Sequence, residues 1–217
     1  MIDLSNSPVL RESQNYRIYQ HPDNSGALLK VRCDKPGKRR LLKHRILKRP
    51  SELLYGNLRQ WNREANEYLA ALHRGCPEID CLAKFMGFAR TSEGPALIVE
   101  KMTSPDGDLA MTVAEELAEL SAGDPRRDTI RNELLELLDD LERGRIIVGD
   151  FSAANVVRAR ERNGRLVVVD GLGERILLPI TLYSNLAFKA SVARRRRRIR
   201  RIPGTTHHAV QGSKKVV

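Results

Sequence analysis

Asp150 and Asp170 are two aspartates held apart in the chain by a turn. The stretch reads Asp150-Phe-Ser-Ala-Ala-Asn155-Val-Val, then Asn163-Gly164, then Leu166-Val-Val-Val-Asp170-Gly171. The apolar run has the length of a buried strand. Asn-Gly accepts positive φ and closes a hairpin. Asn155 lies five residues past Asp150, and Asp170 fifteen past Asn155. A hairpin of that length returns Asp170 beside Asn155, where both can share a metal ion. No other stretch constrains the fold as tightly.

The remaining elements follow from turn chemistry and periodicity. Residues 1–15 are polar and turn-rich. Tyr16 to Gln20 alternates like a strand, and Ala27 to Val31 reads as its return. Between them, His21-Pro-Asp-Asn-Ser-Gly26 predicts a hairpin with a long loop. Trp61, Ala65, Tyr68, Leu69 and Leu72 recur at three- and four-residue spacing, which predicts an amphipathic helix with those residues as its buried stripe. Strands are expected at 83–90 and 96–100 around Thr91-Ser-Glu-Gly94. Residues 111–143 read as helix, broken at Gly123-Asp-Pro125, and a last helix is expected around 180–200. Strands with one helix, then mostly helices with a short β insert, make an α+β chain in two unequal parts.

Charge is concentrated in two segments. Lys30 to Arg49 holds ten Lys/Arg against Asp34, and Lys189 to Val217 holds ten and no acid. Setting those nineteen net charges against the total of +11 leaves −8 on the rest. Seven of the eight residues from Arg194 to Arg201 are arginine. So dense a run repels itself and is expected to be a flexible, solvated tail over 194–217. Three readings of it stay open. It is a solvated helix end, or a binder of anionic partners (nucleic-acid phosphates, lipid, an acidic protein), or a segment docked on this chain's own acidic body. Aromatics make up 5% of the chain, which excludes a stack of base-binding rings. Cys33, Cys76 and Cys81 are odd in number and form no CxxC pair, so a disulfide framework is not expected. No apolar run approaches the roughly 20 residues of a membrane span, and no secretory signal opens the chain. A cytoplasmic protein is expected.

Four features together suit phosphoryl transfer. Lys30 stands on a strand and would neutralise phosphates. Glu64 or Glu67 stands on a helix and would hold that lysine. Asp150 would accept the proton of an attacking hydroxyl. Asn155 and Asp170 would supply hard oxygen ligands to Mg²⁺.

The order of short motifs resembles the PhoP regulatory network protein family (YrbL-like), a branch with a protein-kinase-like fold. They are Tyr19-Gln-His-Pro22 leading to Leu29-Lys30-Val31, Arg63-Glu64 followed by Tyr68, Thr91-Ser-Glu-Gly94 and Asp106-Gly107. The loop Asp150 to Asn155, Val169-Asp-Gly-Leu-Gly-Glu174 and Leu178-Pro-Ile180 complete the set. The resemblance covers roughly residues 5–195. It implies a compact bilobal kinase-like fold with a reduced C-terminal lobe: a β-rich N-lobe over 1–102 and a helical C-lobe over 103–193. It implies ATP and Mg²⁺ as cofactors, with a nucleotide and an acceptor substrate as partners. Lys30 matches the phosphate-binding lysine and Glu64 its helix partner, with Glu67 as the other choice. Val99-Glu100-Lys101-Met102 matches the hinge that would hold adenine. Asp150 matches the catalytic-loop Asp that serves as base, and Asn155 and Asp170 the metal ligands.

The chain departs from that pattern in several places. Residues 8–18, where a glycine-rich loop belongs, contain no glycine. Val148-Gly149 precede Asp150 in place of His-Arg. No Phe separates Asp170 from Gly171, and no Ala-Pro-Glu follows in the 47 residues that remain. A peptide-substrate platform does not fit in that length. The readings that stand are an ATP-dependent phosphotransferase, a pseudokinase serving as a regulatory scaffold, and a basic nucleic-acid or membrane-surface binder.

Overall fold

Lys30 lies on the longest strand, two residues before its end, and the sheet is built around that strand. The structure is a computed structural model that describes residues 1–13, 16–33, 55–173 and 184–202. The basic segment 35–49, the motif at Leu178-Pro-Ile180 and the tail beyond Ile202 lie outside the described residues. The strands are β1 (Val9–Glu12), β2 (Tyr16–His21), β3 (Asn24–Arg32), β4 (Phe85–Thr91) and β5 (Gly94–Glu100). They pair antiparallel in the order β1-β2-β3-β5-β4.

β1 lies where sequence suggested only polar turns. VLRE has no alternation of burial to reveal it, and the strand is held by pairing with β2. The β2–β3 connection is also tighter than expected. The chain reverses at Pro22-Asp23, pairs His21 with Asn24, and bulges before Gln20 meets Leu28. The Gln20 amide fills the bulge, donating to the carbonyls of Asn24 (2.9 Å) and Ala27 (2.8 Å).

The two faces of the sheet bury different residues. Leu29 and Val31 pack with Leu4, Tyr19 and Ala96 on one face. Leu28 joins Tyr16, Trp61, Leu97 and Val99 on the other. The period of two along a strand puts Lys30 on Leu28's face. That face is covered by helix α1 (Arg59–His73).

α1 is rotated from the stripe its sequence suggests. Its buried residues are Trp61, Glu64, Ala65, Glu67 and Ala71, while Leu69 and Leu72 are 50% and 57% exposed. Trp61 and Ala65 of the expected stripe are buried, but in place of Leu69 and Leu72 two carboxylates share the buried face. They are tolerated because each finds polar partners.

Three further helices are described: α2 (Val113–Glu119), α3 (Arg126–Arg143) and α4 (Asn185–Arg200). Leu134, Leu137, Leu138 and Leu141 of α3 form the main apolar core with Leu82, Ile146, Phe188 and Ile199. The ribbon β6 (Val156–Ala159) and β7 (Arg165–Val168) turns through Asn163 and Gly164, both at positive φ. The ribbon joins both parts, since Leu82 bridges to Val168 and Thr112 to Val157.

The expectation of a flexible tail from residue 194 is corrected for its first part. Arg194 to Arg200 form the last turns of α4, anchored by buried Val192 and Ile199. Arg196 adds contacts to Asp139 (2.5 Å) and Glu142 (3.2 Å) of α3. Burial of one side and acidic partners on α3 outweigh the mutual repulsion. Among the described residues, no helix is long and apolar enough to cross a membrane.

Candidate functional site

The ribbon brings Asp150, Asn155 and Asp170 together through three hydrogen bonds. The Asp150 N–H donates to Gly171 O (3.1 Å), the Val169 N–H to Asn155 O (2.9 Å), and Asn155 Nδ2 to Asp150 O (2.9 Å). The last bond fixes the Asn155 amide and turns its Oδ1 away from Asp150 O. Gly171 is required here. It sits at φ +84°, and a Cβ would lie 2.8 Å from Asp150 O and 3.1 Å from Asn155 Nδ2.

Across from this loop, Lys30 is 5% exposed. Its Nζ donates to Val169 O (2.6 Å) and lies 3.6 Å from Asp170 Oδ2. From α1, Gln60 Nε2 donates to Glu64 Oε1 (3.0 Å) and Asp170 Oδ1 (3.2 Å). The Gly171 N–H also donates to Asp170 Oδ1 (2.6 Å).

The expected Lys30–Glu64 pair is replaced by a different arrangement. Lys30 pairs with Asp170, and Glu64 shares a hydrogen bond with Asp170. Burial and the Asp170 charge push the Glu64 carboxyl up to about 8. Burial also acts to raise Asp170, but Lys30 and the hydrogen bonds from Glu64, the Gly171 N–H and Gln60 outweigh it and hold Asp170 below the usual range. Glu64 is therefore the proton donor and Asp170 the anion at neutral pH. The cause is a count of charges: one buried cation stabilises one of two adjacent carboxylates. Tyr16 is pushed upward by burial and by Asp170 and Glu64.

The structure separates the two candidate helix acids. Glu64 faces Lys30 and Asp170. Glu67 faces the helical core, where it accepts the Ile147 N–H (2.9 Å) and lies 3.5 Å from Arg74.

A cavity of about 560 Å³ opens above the cluster. Lys30, Gln60, Asp150, Asn155 and Asp170 line its polar end. Ile18, Leu28, Val99, Met102, Leu109 and Val157 line its apolar end. Met102 is 2% exposed, and its carbonyl accepts the Ala110 N–H (3.0 Å). Glu100 also lines the cavity, but its carboxylate is held by Arg162 (2.8 Å).

At the mouth, Arg11 of β1 reaches Glu115 of α2 (3.1 Å). Sequence reasoning missed Arg11, Tyr16 and Gln60. Gln60 alone left a signal: it stands four residues before Glu64, on the same helix face.

The arrangement defines an α+β protein whose sheet, helix and ribbon converge on a lysine–carboxylate cluster beneath a half-polar cavity. The family described as PhoP regulatory network protein YrbL matches residues 2–204, and the chain belongs to that family. No curated protein matches the chain significantly.

Proposed function

We propose that the chain is a kinase-like protein that binds ATP with Mg²⁺ and transfers its terminal phosphoryl group to an acceptor hydroxyl, within the regulatory network that its family name denotes. In this reading, residues 1–102 form the N-lobe and 103–193 a reduced C-lobe, with 99–102 between them. One observation carries it. Lys30, Asp150, Asn155 and Asp170 converge from separate segments on the polar end of a cavity whose other end is apolar. An adenine fits the apolar end beside Met102, and phosphates fit the end where Lys30 stands.

The donor set fits Mg²⁺. Among the described residues, no three His, Cys, Asp or Glu side chains form a metal cluster. Asp170 with Asn155 Oδ1 gives two hard oxygens. Mg²⁺ commonly takes one or two protein oxygens and completes its shell with phosphate and water. Bound there, it would supply charge neutralisation. Asp150 would accept the acceptor's proton, and Lys30 would turn from Val169 O toward phosphate.

A second reading, binding without transfer, is favoured by the lack of any glycine in 8–18. A phosphate loop without glycine would bring its backbone less close to phosphate. Thermal unfolding with and without ATP and Mg²⁺ tests the site, with Asp170→Asn alongside. The expected result is a Mg²⁺-dependent rise in the parent, about 2.7 kcal/mol of stabilisation at a hundredfold excess over Kd, lost in the variant. No rise at millimolar ATP overturns both readings. A rise without transfer to any acceptor, ADP release included, leaves the second.

A further inference from the structure

We propose that the outward face of α4 binds the phosphate backbone of duplex nucleic acid without sequence preference. This surface is separate from the cavity, which none of its arginines line.

The structure divides the arginine run by function. Val192 and Ile199 are buried in the helical core, and Arg196 is held by Asp139 and Glu142. Arg194, Arg197, Arg198, Arg200 and Arg201 are exposed, and none forms an ion pair with a described residue. At 100° per residue they fall on one side of the helix, opposite Val192 and Ile199. Favourable placement near a helix C-terminus accounts for cations in the last turn only, not for Arg194.

Charge density selects the partner. Residues 194–201 span about 10 Å at 1.5 Å per residue. A duplex presents one negative charge per roughly 1.7 Å, so about six over that length. Five exposed arginines thus stand on a length of helix over which a duplex carries about six charges. Arginines at three- and four-residue spacing repel one another on the free helix, and a dense polyanion relieves that repulsion. Guanidinium forks also match phosphate oxygens.

Other surfaces fit less well. A helix that inserts into a bilayer offers it an apolar face. The apolar side of α4 is already spent on α3, and the exposed face from Arg194 onward carries only arginine. No aromatic side chain stands on that face to stack unpaired bases, which favours a duplex over a single strand.

The test is fluorescence anisotropy of a labelled 20-base-pair duplex with the full-length protein, across salt concentrations. The comparison is the triple variant Arg194→Gln, Arg197→Gln, Arg198→Gln. The parent is expected to bind with a log Kobs against log salt slope near −4, and a scrambled duplex to bind equally. The triple variant is expected to lose tenfold or more in affinity, and about 2 to 3 from the slope's magnitude. A matched triple Lys variant, which keeps charge, is expected to retain the slope and so separates charge from any folding defect. Circular dichroism checks helix content in each. Equal binding by the Gln variant, no binding at 50 mM salt, or binding to phosphatidylserine vesicles with none to the duplex each overturns the proposal.

Discussion

Glu64 and Glu67 stand three residues apart on α1, both buried, and they face two different interiors. Glu64 looks onto the sheet side, where Lys30, Asp170, Gln60 and Tyr16 crowd the polar end of a cavity. One cation serves two carboxylates there, so Glu64 keeps its proton. Glu67 looks into the helical side, where leucines fill the core and its carboxylate meets the Ile147 N–H and Arg74. On the helical side the buried Glu67 carboxylate has a donor and a cation of its own. The sheet side keeps charges close together in a space large enough for a ligand. The first arrangement is what stability alone favours; the second points to binding.

The largest expected effect falls on the helical side. Leu138 is 2% exposed among the α3 leucines. Leu138→Ala is expected to cost about 2–5 kcal/mol of unfolding free energy in denaturant titration. The increment in stability that ATP and Mg²⁺ confer is expected to remain. Its loss at temperatures where the variant is folded would show that the two interiors are not separable.

Next in size is the pair of acids. With Glu64 raised to about 8, the native protein holds a proton that the unfolded chain releases above about pH 4.5. That contribution is full below pH 4.5 and is lost as pH rises through 8. Glu64→Gln keeps the neutral form. Its Tm is expected to match the parent near pH 4.5 and to exceed it by several degrees at pH 8. Glu67→Gln is expected to lower Tm at pH 8, since it weakens the acceptor for Ile147 and Arg74. The same sign for both substitutions would break the contrast.

The smallest effect is expected at the mouth. Arg11 and Glu115 are both partly solvated, and exposed pairs contribute about 1 kcal/mol or less. Arg11→Ala is expected to move Tm by under about three degrees. A larger fall would make the bridge a structural tie between the two sides.

Legibility in the sequence tracked how local the cause was. The reversals at Thr91–Gly94 and Asn163–Gly164 are written in turn residues, so β4–β5 and β6–β7 were readable. The hairpin from Asp150 to Asp170 forecast the meeting of Asn155 and Asp170 from spacing alone. β1 was not readable, because VLRE folds as a strand only by pairing with β2. The rotation of α1 was hidden for a related reason. Leu69 and Leu72 dominate its apolar pattern, yet the burial of Glu64 and Glu67 depends on Lys30, Asp170 and Ile147, distant in sequence. The docking of Arg196 likewise depends on α3. Lys30 was identified, but its partner was not. Which carboxylate keeps a proton is decided by three segments at once.

Glu115 has a consequence beyond the cavity mouth. Its Oε2 accepts the Thr112 N–H (2.6 Å), the Thr112 hydroxyl (2.9 Å) and Arg11 (3.1 Å). The Thr112 hydroxyl in turn accepts the Glu115 N–H (3.2 Å). The oxygen that starts α2 is thus the one that β1 grips. Removing the Arg11 side chain therefore takes away one of the contacts that position the cap of α2. Deuterium uptake at the amide of Glu115, compared between the parent and Arg11→Ala, reads how far the strand steadies that cap, without any ligand.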